Sequence, residues 1–166
     1  TALRGALLTA GADAEALGEL DGWVHEVLEG IDTSFWNPAT SPHLTTRYDA
    51  YNLQGKRQAQ GNMRMGLELE LSAEAAPLVL VPGTLLGSGN VAECWARALE
   101  SCLDTTPIQV VVEGELASEA WDQLKAKAPE RVRTLNAQSP EAMHALLASA
   151  DIMVAAGPQA RFAALV

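Results

Sequence analysis

Pro77-Leu78-Val79-Leu80-Val81-Pro82 is a short apolar run with a proline at each end, and Gly83-Thr84-Leu85-Leu86-Gly87-Ser88-Gly89 follows it directly. A run of this length and composition reads as a buried strand, and the glycine-punctuated stretch after it as a loop. Asn90, with Glu93 three residues on, has the side-chain pattern of a helix N-terminus, and that helix runs to about Asp104. Further downstream the alternation repeats. Ile108-Gln109-Val110-Val111-Val112 is a second strand, and a helix from about Leu116 to Ala128 is stopped by Pro129. Val132-Arg133-Thr134-Leu135 is a third, weaker strand, Ser139-Pro140 opens another helix, and Asp151-Ile152-Met153-Val154-Ala155 is a fourth strand. Strands separated by helices imply βαβ units. The expected fold class is therefore α/β, a Rossmann-like parallel sheet with helices on both faces, occupying residues 77–166.

Upstream of Pro77 the pattern is less regular. A helix is expected from about Ala12 to Leu28, interrupted by Gly18 and Gly22. Residues 30–55 hold Pro38, Pro42 and Gly55 and few periodic apolar positions, so they read as an extended connector. A helix from about Lys56 to Met65 leads into Leu67-Glu68-Leu69-Glu70-Leu71, whose alternation suits either a half-buried strand or an amphipathic surface segment. The chain thus divides into residues 1–76, a helical segment with an interdomain-type connector, and residues 77–166, an incomplete α/β domain.

Composition narrows the function classes. The chain has 166 residues, 48% of them hydrophobic and 19% charged, which suits a packed core rather than an acidic disordered tail. A formal charge of −10 opposes broad electrostatic binding to nucleic acid or to an anionic membrane. No apolar run reaches the roughly 18–20 residues that span a bilayer. The sequence opens on Thr1 rather than Met and is read as a processed or partial product. Cys94 and Cys102 lie eight residues apart on one expected helix, about 12 Å along its axis, too far for a disulfide. They are expected to be two buried thiols in a reducing compartment.

Chemistry-bearing patterns are sparse. Backbone amides of Gly83, Thr84, Gly87, Ser88 and Gly89, between a strand and a helix, form a candidate phosphate-binding loop, although the stretch lacks the Gly-Lys-Ser/Thr of a P-loop. A tight turn with helix-capping residues accounts for the same letters. His25, His43 and His144 have no second His or Cys at metal-ligand spacing, so no metal is expected. His144 reads as a partly buried polar contact in mid-helix. No nucleophile elbow occurs. Glu113 and Glu115, just after the second strand, stand where α/β folds place ligand contacts, although such residues more often cap the next helix. Trp23, Phe35, Trp36, Trp95 and Trp121 are candidates for core packing or for anchoring a partner.

Gly30-Ile31-Asp32-Thr33-Ser34-Phe35-Trp36-Asn37-Pro38 resembles the Gly-Ile-Asp-x-x-x-Trp-Asn-Pro segment of bacterial glycogen synthases and plant starch synthases. The resemblance continues through Tyr48, Leu53, Gly55, Lys56 and Gly66-Leu67, and returns at Ala150-Asp151-Ile152-Met153-Val154. It implies part of the C-terminal domain of a GT-B glycosyltransferase, preceded by the connector between the two domains of such an enzyme. Where the family carries Gly-Arg-Leu-x-x-Gln-Lys-Gly, whose Arg and Lys bind the phosphates of ADP-glucose, this chain has Thr84 and Gly89 at the Arg and Lys positions. Gln159 stands where the family has the Glu that contacts the donor sugar. The resemblance therefore implies no catalytic residue and no cofactor here. The expectation is a non-catalytic, structural or protein-binding subunit of a larger assembly, in a plastid or in bacterial cytoplasm. The alternatives are a fragment of a split synthase that needs a partner chain to move glucose from ADP-glucose to an α-1,4-glucan, and a nucleotide-binding module.

Overall fold

A computed structural model describes residues 32–70, 76–86, 90–116 and 118–154. The helix expected over 12–28, the connector residues Gly30 and Ile31, the loop residues Gly87, Ser88 and Gly89, the side chain of Thr84, and Gln159 lie outside the described residues.

Residues 32–154 belong to one compact unit. Its elements are α1 (Thr33–Trp36), α2 (Gln54–Gly66), β1 (Leu78–Pro82), α3 (Gly83–Leu86), α4 (Asn90–Thr105), β2 (Gln109–Glu113), α5 (Glu119–Lys127), β3 (Val132–Leu135), α6 (Pro140–Ser149) and β4 (Ile152–Met153). The strands form one parallel sheet in the order β3-β2-β1-β4. Register follows the apolar runs, with Val79 beside Val110 and Ile152, and Leu80 beside Val111 and Met153.

Because side chains alternate along a strand, each face of β1 and β2 serves a different layer. Val79, Val81, Val110 and Val112 pack with Ala96, Leu99 and Leu103 of α4 and with Trp121 and Leu124 of α5. On the other face Leu78, Leu80 and Val111 pack with Leu146 of α6 and Leu69, and Met63 of α2 joins them. Helices thus cover both faces, as the uninterrupted apolar strands require. Arg131 closes the lower end of α4, donating to the carbonyls of Leu103, Thr106 and Ile108 at 2.7–3.1 Å. A cation at those orphan carbonyls also suits the negative end of the helix dipole.

Several expectations need correction. The stretch after β1 is not a loop from its first residue, because Gly83–Leu86 makes one helical turn and Leu86 is fully buried beneath it. Cys94 and Cys102 are exposed free thiols, not buried ones. The α4 stripe that meets the sheet is Ala92, Ala96, Leu99 and Leu103, and both cysteines fall off that stripe. The 32–53 connector is folded rather than extended, with α1 and a run of turns. Of the two readings left open for the alternating run, the strand does not form over residues 67–70. Glu68 takes a left-handed φ of 53°, and Leu69 is turned into the core. Glu113 and Glu115 do not cap α5, whose N-cap position is held by Ser118. No helix among the described residues is long and apolar enough to cross a membrane.

Candidate functional site

Strand order reverses at β1. The chain proceeds from β1 to β2 and β3 in one direction, whereas β4 lies on the opposite side of β1. In an open parallel sheet, ligands bind beyond the carboxyl ends of the strands at such a reversal. The segment that begins with Gly83 leaves the carboxyl end of β1 at that reversal.

Gly83 is required there by packing. A Cβ at this position would lie 2.8 Å from the carbonyl oxygen of Glu113 and 3.4 Å from Leu116 Cδ2. The first of these is backbone at the end of the neighbouring strand, which has little room to give. Gly83→Ala is therefore expected to lower stability by about 1–2 kcal/mol, read as a lower urea midpoint with an unchanged slope. Gly114, at φ +79°, makes the turn out of β2 and donates from its N–H to Leu135 O at 3.0 Å. Beyond it, Glu115 lines a cavity of about 390 Å³ with Leu116, Trp121, Lys125 and Thr134.

The connector is fastened to the α/β layer by contacts made at long sequence range. Asp32 caps α1, its Oδ1 accepting from Ser34 N–H at 2.9 Å and from the Ser34 hydroxyl at 2.6 Å. The Ser34 hydroxyl, with the Phe35 and Ser34 backbone N–H groups, holds the Asp32 carboxyl below the usual carboxylate range. Asn37 Oδ1 accepts from Ala39 N–H at 2.9 Å, which fixes the turn around Pro38. Trp36 stacks on His144 of α6 at 4.3 Å and 22°, and Phe35 meets the same ring edge-on at 4.6 Å. Tyr48 donates its hydroxyl to Ala148 O at 3.0 Å. Burial, with the nearby Asp151 carboxylate, raises the Tyr48 phenol above its ordinary value.

Asp151 is where connector, α2 and sheet meet. Its Oδ2 accepts from Gln60 Nε2 at 2.7 Å and from the Leu78 N–H at 3.0 Å. Lys56 Nζ lies 3.7 Å from Oδ1 and donates to Ala150 O at 2.5 Å. One carboxylate thus ties α2 to the start of both β1 and β4. Asp32, Trp36, Asn37 and Pro38 of the connector motif therefore hold a structural joint, and Trp121 and Trp95 pack in or against the core. The sequence reading missed the union of His43 with His144, whose rings lie 5.0 Å apart. A separation of about a hundred residues leaves no local signal for it. Among the described residues no group of three or more His, Cys, Asp or Glu is placed to hold a metal ion.

The parallel sheet reversing at β1, with helices on both faces, matches part of the catalytic domain of a GT-B glycosyltransferase. The catalytic domain of starch synthase IV from Arabidopsis thaliana, solved bound to ADP and acarbose, superposes with a TM-score of 0.67 at 25% identity, over 84% of this chain and 29% of that one. Within that class the chain is a homologue of the glycogen and starch synthases over about three quarters of its length. It is 33% identical over 131 residues to the glycogen synthase of Aromatoleum aromaticum, covering 77% of this chain and 26% of that protein. It is also 32% identical over 133 residues to the glycogen synthase of Bordetella bronchiseptica, and 43% identical over 53 residues to a chloroplastic/amyloplastic starch synthase 4 of Arabidopsis thaliana. The last of these matches covers 32% of this chain and 5% of that protein. The chain spans about a quarter of the length of the bacterial relatives it matches. No family model matches it.

Proposed function

We propose that this synthase-like chain serves an assembly as a structural or protein-binding subunit and performs no glucosyl transfer itself. The observation that carries this reading is the pair Thr84 and Gly89, a hydroxyl and a hydrogen, at the positions where the family resemblance has the Arg and Lys that hold the donor phosphates. Transfer of glucose from ADP-glucose develops charge on the departing diphosphate, and fixed cations are the usual means of stabilising it. Backbone amides after β1 supply partial charges only. The domain boundary near Pro77, the plastid or bacterial setting and a protein partner belong to the same reading. So does the assignment of Gly83, Thr84, Gly87, Ser88 and Gly89 as a degenerate nucleotide loop.

A second reading, a piece of a working synthase completed by other polypeptide, is favoured by the 26% coverage of the bacterial relatives. Calorimetric titration with ADP separates the two. The non-catalytic reading expects no saturable heat up to about 1 mM ligand, a free energy weaker than about −4 kcal/mol. It also expects the double substitution Thr84→Arg, Gly89→Lys to tighten ADP binding at least tenfold. Saturable binding of ADP by the unaltered chain well below millimolar overturns it in favour of a nucleotide-binding piece.

A further inference from the structure

The contact between connector and α6 is built around an imidazole with one nitrogen unpaired among the described residues. His144 is 4% exposed, and its Nδ1 shares a hydrogen bond of 2.8 Å with Ser41 Oγ, itself fully buried. Its Nε2 is buried and has no hydrogen-bond partner among the described residues. Trp36 covers one face of the ring, Phe35 meets it edge-on, and the His43 ring lies 5.0 Å away. On its other side His43 places Nδ1 3.2 Å from Glu141 Oε1, one helical turn before His144 on α6.

We propose that His144, His43 and Trp36 form an acid-sensitive latch that holds residues 32–48 on α6 near neutral pH and releases them as the pH falls. A second proton on His144 places a full charge among Trp36, Phe35 and Leu147 and leaves the Nε2–H with no acceptor. His43, once protonated and paired with Glu141, adds a like charge 5.0 Å from the first ring. Burial and, second, His43 push the His144 imidazole below its ordinary value, against a smaller opposing pull from Glu141.

The remaining charged groups nearby are committed elsewhere. On α2, Lys56 and Gln60 are held by Asp151 and Ala150 O, and Arg64 by Gln109 and Ala76 O. Arg57 and Arg47 are exposed, Tyr48 donates to Ala148 O, and β1 beneath α6 is wholly apolar. The direction follows from linkage. The docked segment carries a neutral His144, whereas the released segment exposes an imidazole that protonates below about pH 6.5. The docked state then binds fewer protons. The holding free energy is intact above about pH 7 and is lost progressively as the pH falls below 6.5.

Hydrogen exchange at pH 7.5 and pH 5.0, corrected for the intrinsic pH dependence, reads the latch directly. Trp36, Asn37, Ser41 and Tyr48 donate their N–H groups to carbonyls within the segment, and their protection is expected to fall about tenfold at the lower pH. Val110 and Val112, inside the sheet, keep theirs. His144→Phe retains a packed ring without a titrating nitrogen, and its protection is expected to be the same at both pH values. His43→Asn removes the second charge and is expected to weaken the loss without abolishing it. In the unaltered chain, proton NMR of the histidine rings should find His144 titrating below about pH 6.5, a readout that needs no variant to fold. Unchanged protection at pH 5.0, an equal loss in His144→Phe, or a His144 titration at or above 6.5, as a cation held on the Trp36 face would give, overturns the proposal.

Discussion

Replacing Trp121 by Ala is expected to lower the stability of the chain by about 4 kcal/mol, enough to consume a large part of a typical domain's margin. Among the described residues Trp121 is the largest fully buried side chain, 1% exposed, in the layer formed by Val79, Val81, Val110 and Val112 with α4. Its indole N–H donates to Ala92 O at 3.0 Å, so the ring both fills the gap between α4 and α5 and pins the first turn of α4. Truncation removes the transfer free energy of the indole and leaves a void that fixed strands cannot collapse. Trp121→Phe retains most of the apolar contact and loses the indole hydrogen bond, so its cost should be about half as large. Urea denaturation followed by circular dichroism measures both. A loss below about 1 kcal/mol for the alanine variant would mean that α5 is not seated on the sheet as described.

Arg64→Ala is expected to cost about 3 kcal/mol, for a different reason. Arg64 on α2 is 3% exposed, its Nε donating to Gln109 Oε1 at 2.7 Å and its Nη2 to Ala76 O at 2.6 Å. Gln109, itself fully buried at the first residue of β2, passes the chain on by donating from Nε2 to Glu70 O at 2.8 Å. Removing the guanidinium leaves buried acceptors unpaired, which costs more than the net value of the bonds themselves. Arg64→Met separates the two contributions, because it restores the packed stem but not the donors. It is expected to recover about 1 kcal/mol of the loss. In a double-mutant cycle, Gln109→Leu should cost less in the Arg64→Met background than alone, since the acceptor it removes is already orphaned. Strict additivity in that cycle would deny the coupling.

These two side chains mark how far the sequence could be read. Trp121 sits in an expected helix behind an expected strand; the β1, β2 and β3 positions follow from short apolar runs, the first bounded by Pro77 and Pro82, and Pro129 stops the helix between the second and third. Ser139-Pro140 opens α6 as expected, with Ser139 Oγ accepting from Ala142 N–H at 3.2 Å. Such signals are local, a few residues wide, and backbone geometry obeys them. Arg64, Gln109 and Asp151 answer to partners at 12 to 91 residues' separation, which no periodicity reveals. The connector reads as extended in sequence yet folds, for the same reason. Its turns are stabilised by Ser41 against His144 and Tyr48 against Ala148, and its own apolar pattern is poor. Residue type alone points Cys94 and Cys102 to the interior, and both thiols are exposed. The helix-wheel stripe of Ala92, Ala96, Leu99 and Leu103 was already sufficient to place them outside it.

The close approach of Gly83 to the end of β2 bears on how relatives of this chain should be compared. A side chain is excluded at position 83 by the Glu113 carbonyl, whether or not anything binds beyond the strand. Retention of this glycine in other sequences is therefore uninformative about a surviving nucleotide site, since selection for a stable sheet alone preserves it. Under the proposed non-catalytic function, positions 84 and 89 are instead the ones whose drift would record the loss of sugar-nucleotide handling.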